Sequence, residues 1–170
     1  DTDRVRYHLD IALSIVDEIV SLAENSPMVS KQYTMGAMCQ SVTASLGLAQ
    51  MSSDPDTRSD RLHDALEAAE RAYEIYQFFG FSQIVECTSE EVLFRYSQAL
   101  AANEQRDIAI RYLRRAYDEM TRKHALIPVD SSFRRTYLEQ IPLHRKIRAA
   151  YASRVGSILG KRQEANIASD

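Results

Sequence analysis

Glycine and proline, the residues that break and turn a backbone, are scarce in this chain: five and four among 170 residues, with neither between Ser59 and Phe79. Few turns can separate its elements, which favours long helices over a many-stranded sheet. Cysteine occurs twice, at Cys39 and Cys87, with no CxxC and no Cys/His ligand spacing. The two read as reduced, half-buried thiols of a cytoplasmic protein, with a disulfide as the alternative. No apolar run approaches the roughly 18 residues that a membrane span requires, and Asp1-Thr2-Asp3-Arg4 has neither the basic nor the apolar part of a signal peptide, so no membrane partner is expected. GxxxxGK[ST], GxGxxG and HExxH are missing, which leaves no phosphate cradle and no zinc-protease helix in view. The first residue is not Met and a helical pattern begins almost at once, so the chain is expected to be a piece of a longer polypeptide.

What is present fits a folded domain. Apolar residues make up 45% and charged residues 26%, and the length suffices for one compact core or a short array of stacked units. The net charge of −3 conceals a division: residues 1–104 carry 7 basic and 17 acidic side chains, and residues 105–170 carry 14 and 7. Arg111, Arg114, Arg115, Arg134 and Arg135 form a candidate basic patch for an acidic peptide or another domain, set against the plainer reading of solvated helix faces. Tyr112 and Tyr117 interleave with these cations, yet both belong to an apolar stripe, and an acidic chain is a poor start for phosphate-dominated affinity; this weighs against nucleic acid.

Apolar residues recur at helical spacing along nearly the whole chain. From Asp3 to Glu24 the stripe is Leu9, Ala12, Leu13, Val16, Ile19, Val20 and Ala23, ended by Ser26-Pro27. Ser30 to Met51 places Tyr33, Ala37, Val42, Leu46 and Ala49 inward, with Gly36, Ala44 and Gly47 small enough for another backbone to approach. Ser52 to Asp56 is a surface loop. Thr57 to Phe79 is a strong helix closed by Gly80 in the left-handed conformation. Thr88 and Glu91 have capping-box spacing for a helix from Ser89 to Ala102. Asn103-Glu104-Gln105 turns the chain into a helix marked by Ile108, Ala109, Tyr112, Leu113, Ala116, Tyr117 and Met120. A short helix from Ser132 to Gln140 precedes Pro142, which opens the last helix. The helical domain is expected over 1–160, with 161–170 a frayed tail.

Leu93-x2-Tyr96-Ser97-x2-Leu100, followed by Ala109-x3-Leu113-x2-Ala116, is similar to the tetratricopeptide repeat: small residues where two helices cross and large ones filling the space between. Leu46-Gly47 with Ala65-x3-Ala69-x2-Ala72 is a second match, with a linking loop about six residues longer than the family standard. Residues 3–24 look like the second half of a preceding repeat. Ser132 to Arg145 resembles the closing segment of helical-repeat regions in large bacterial signalling proteins, where the repeats follow an ATPase, kinase, cyclase or regulator module. The resemblance implies an all-α array of antiparallel helix pairs that holds a protein or peptide partner, or another domain of the parent chain. It also implies a groove on the first helices of the pairs, formed by Ser41, Ala44, Leu48 and Met51 with Glu91, Phe94, Gln98 and Ala101. A spacer or homo-oligomerisation segment and a small-ligand-responsive regulator remain as alternatives.

Catalytic chemistry finds little support. His8, His63, His124 and His144 are scattered; His63 and Glu67 could share a helix face, but a surface hydrogen bond is the simpler use. Adjacent carboxylates Glu90 and Glu91 point about 100° apart on a helix and read as N-terminal caps. The expectation is no enzyme activity, no metal and no cofactor.

Overall fold

The computed structural model describes residues 2–24, 29–84 and 87–167, with side chains described for all of these except 24, 29–30 and 155–167. Among the described residues there are seven helices and no strand: α1 (Thr2–Glu24), α2 (Val29–Met51), α3 (Pro55–Phe78), α4 (Ser89–Ala102), α5 (Arg106–Ala125), α6 (Phe133–Glu139) and α7 (Pro142–Ile167). The Ser26-Pro27 break lies outside the described residues.

Local chemistry sets the helix ends. Asp54 caps α3 by accepting from the Thr57 amide at 2.9 Å, with Pro55 in the first turn, so the helix begins two residues ahead of the predicted Thr57. At its far end Gly80 has φ +62°, and the Phe81 and Gly80 amides donate to the Tyr76 and Gln77 carbonyls, each at 2.9 Å. That double bond is the Schellman closure expected at Gly80. The same closure ends α4, but there Glu104 holds the left-handed position at φ +63°, and Gln105 donates to the Leu100 carbonyl at 2.9 Å.

Antiparallel packing of consecutive helices builds the molecule. α2 lies against both α1 and α3, α4 pairs with α5, and α3 and α2 each meet α4, so the pairs stack. Asn103 fastens two of them, donating from the end of α4 to the Leu62 carbonyl near the start of α3 at 2.8 Å. Ala65, Ala68, Ala69 and Ala72 give α3 a buried face of small side chains, which permits close approach to α2. Large residues fill the remaining space: Val92, Leu93, Phe94 and Leu100 from α4, Leu113 and Met120 from α5, Ile147 from α7. Tyr73, Tyr96 and Tyr112 gather α3, α4 and α5 with ring centroids 4.5–5.3 Å apart.

Three expectations are corrected. Tyr33 points outward, 53% exposed, while Met35, Cys39, Val42, Ser45 and Ala49 are buried; α2 has neighbours on three sides, so no single stripe describes it. The Thr88–Glu91 capping box does not form. The Thr88 side chain makes no cap bond, and the Glu91 carboxylate accepts from Arg95, one turn on, at 3.2 Å, where a charged donor outcompetes an amide. Backbone helicity continues through Ile167, past Gly160, where the tail was expected to begin; 168–170 lie outside the described residues.

Candidate functional site

Because α2 carries α1 on one flank and α3 on the other, a groove remains between the flanking helices with α2 as its floor. Its central section holds about 740 Å³; smaller hollows of about 430 Å³ towards Lys31 and about 440 Å³ towards Ser52 adjoin it, sharing Arg71 on one side and Asp10 and Arg61 on the other. From Lys31 to Ser52 the floor spans about 30 Å at the helical rise. The seating of α1 depends on a missing side chain: a Cβ on Gly47 would stand 3.0 Å from Leu9 Cδ1. Glycine lets the two helices close there.

Thr34, Met38, Ser41, Ser45 and Leu48 succeed one another along this floor. Ser45 is 1% exposed and its Oγ has no hydrogen-bond partner. A buried hydroxyl in that state gives up its water without compensation, a cost of about 1–3 kcal/mol. Asp10 and Asp17 on α1 line the central section opposite Asp64 and Glu67 on α3. Asp64 faces Arg61 at 3.4 Å, and Glu67 faces His63 at 3.4 Å on its own helix. At one end Lys31 Nζ lies 4.5 Å above the Phe78 ring, and at the other Arg6 donates to the Met51 carbonyl at 3.2 Å.

The residues expected to face a groove part company. Ser41 lines the central section and Leu48 the Ser52 end. Ala44 and Phe94 belong to the core, 2% and 3% exposed. Glu91 and Gln98 are both taken by the Arg95 guanidinium, at 3.2 and 3.1 Å, and Met51 and Ala101 are half-buried. The basic residues divide as well. Arg111, Arg114 and Arg115 are exposed on α5, where Arg115 donates to the Tyr73 hydroxyl at 2.8 Å and lies over the Tyr73 and Tyr112 rings. Arg134 and Arg135 sit on α6, the first bonded to the Ile127 carbonyl and the second 3.8 Å from Glu139.

A buried polar knot escaped the sequence reading. Glu90, read as a cap, is 1% exposed, and its carboxylate meets Lys123 of α5, Tyr137 of α6 at 3.4 Å and His144 of α7 at 3.2 Å. His144 Nδ1 also donates to the Tyr137 carbonyl at 2.6 Å. Burial alone would raise the Glu90 pKa, but the His144 and Lys123 donors outweigh it and bring it down to about 2. Both carboxylate oxygens are occupied, so the knot fastens α6 and α7 to the first turn of α4 and offers no open position for acid–base work. Four turns of sequence pattern around Glu90 carry no trace of partners 33 to 54 residues away.

Among the described residues, no cluster of three metal-ligating side chains occurs and no helix is long and apolar enough to cross a membrane. No family model, curated protein or solved structure matches the chain.

Proposed function

We propose that this chain is an interaction domain of the tetratricopeptide-like kind, the regulatory part of a larger signalling protein, and that it holds a protein segment in the groove between α1 and α3. Stacked antiparallel pairs support the repeat reading, as do the small residues Ser97 and Ala109, buried among Leu93, Leu100 and Leu113. The observation that carries the binding reading is the hollow between α1 and α3, about 740 Å³ over an α2 floor of Met38, Ser41 and Ser45, with the buried Ser45 hydroxyl left without a partner beneath it. The thiols of Cys39 and Cys87, joined by a hydrogen bond at 3.6 Å and not by a disulfide, fit a reducing, cytoplasmic setting.

Selection of displayed random peptides against the chain tests this. Enriched sequences are expected to lose binding to a Ser41→Arg variant, which blocks the floor, and to keep it for Arg111→Ala on the far helix, with both variants checked for an unchanged thermal transition. If nothing enriches, or if Ser41→Arg binds as well as the parent, the groove is not a binding site and the spacer reading takes its place.

A further inference from the structure

Resting on that reading of the groove, we infer that its occupant is a cationic segment, a lysine- or arginine-bearing stretch of a partner protein held between two acidic walls. Six charged side chains line the central section, four of them acidic. The two arginines are already engaged: Arg61 faces Asp64 at 3.4 Å, and Arg71 has interactions of its own. On the opposite wall Asp10 and Asp17 are exposed and form no ion pair among the described residues. They stand two helical turns apart, about 10 Å, matching cations at i and i+7 of a docked helix or three residues apart on an extended strand. Across the groove Glu67 faces His63 of its own helix at 3.4 Å.

The floor suits the same chemistry. Met38 offers a polarizable surface for the methylene stem of a long cationic side chain. Ser41 and Ser45 are small, which leaves room above the floor for such a stem. Beyond the groove the field has the same sign, since residues 1–104 carry 17 acidic against 7 basic side chains, and a concave site with low-dielectric walls concentrates it. An anionic segment would approach against that field and find both arginines of the central section taken.

The test measures fluorescence anisotropy of three 15-residue amphipathic peptides, identical except that four positions are all Lys, all Gln or all Glu, against the full 170-residue chain. The Lys peptide is expected to bind about tenfold or more tightly than the Gln peptide at about 50 mM salt, with the gap narrowing at about 300 mM. Substituting both Asp10→Asn and Asp17→Asn, at exposed positions, with circular dichroism checking that the helix is retained, is expected to remove most of that gap between the Lys and Gln peptides. Tighter binding of the Gln or Glu peptide that is lost in Ser41→Arg overturns the cationic assignment and leaves the groove standing. Lys-peptide binding indifferent to both the Asn pair and Ser41→Arg is general attraction to an acidic surface and overturns it too. If no peptide binds, the assignment also fails, and the displayed-peptide selection separately settles the groove. Concentration-dependent self-association that the Asn pair disperses would make the occupant the basic half of a second copy, overturning the partner-protein assignment.

Discussion

At the scale of single residues, Glu104 and Glu90 depart most from what their sequence neighbourhoods suggest. The turn at Asn103-Glu104-Gln105 is legible from composition, but its handedness is not, because nothing about a glutamate announces φ +63°. Left-handed backbone costs a residue with a Cβ about 1–2 kcal/mol, part of which glycine returns as unfolded-chain entropy. Glu104→Gly is therefore expected to stabilise the chain by about 0.5–1 kcal/mol in urea denaturation; a loss would mean that the Glu104 side chain contributes more than its backbone strain removes. Glu90 has the opposite character, a carboxylate held below its ordinary pKa of 4.5 at about 2. A depressed carboxylate contributes stability that is complete above about pH 4.5 and drains away as pH falls towards about 2. Glu90→Gln is expected to cost about 1–3 kcal/mol at neutral pH, because His144 loses its charged acceptor while Lys123 keeps Gln83, Ser89 and Glu119. It should also flatten the stability profile across that acid window; an unchanged acid slope would assign the acid sensitivity to other carboxylates.

At the scale of elements, periodicity succeeded where a helix has one buried face and failed where it has several. Most of the α5 stripe reads directly, with Ala109, Leu113, Ala116 and Met120 buried and Tyr112 and Tyr117 half-buried, while Ile108 in the first turn is exposed. Asp10 and Asp17 flank the α1 stripe at i and i+7, a signal open to the sequence once a groove wall is sought there. α2 resists, because burial around most of its circumference erases the contrast from which a face is inferred. Two positions there, buried Met35 and exposed Tyr33, make a direct comparison. Met35→Ala should cost about 2–5 kcal/mol of unfolding free energy, while Tyr33→Ala, at an exposed position, should stay within about 0.5 kcal/mol of the parent. Equal effects would place α2 in a different rotation.

At the scale of the whole molecule, the two thiols report on opening. Cys39 and Cys87 are both buried, and the Cys87 hydrogen bond, followed by burial, raises the Cys39 pKa well above its ordinary value. A thiolate-trapping reagent is expected to modify neither in the native chain and both together through the unfolding transition; rapid labelling of one under native conditions would reveal a local opening around α2. The fold class was legible because scarce glycine, long stripes and the Gly80 closure all agree, whereas the pairing of distant charges was not, since complementarity across 33 to 54 residues leaves no local pattern. The Glu90 knot has one more effect, on how the chain comes apart. α6 is only 7 residues long, and α6 and α7 pack against α5 and each other at the edge of the helix stack, so on length and position both belong among the segments that open first. Their hold on Glu90 prevents that, because peeling either away leaves a buried carboxylate short of donors. Amide hydrogens in α6 and in the first turns of α7 should thus exchange with the same opening free energy as those of α4 and α5, making the C-terminal third part of one cooperative foldon rather than a fringe.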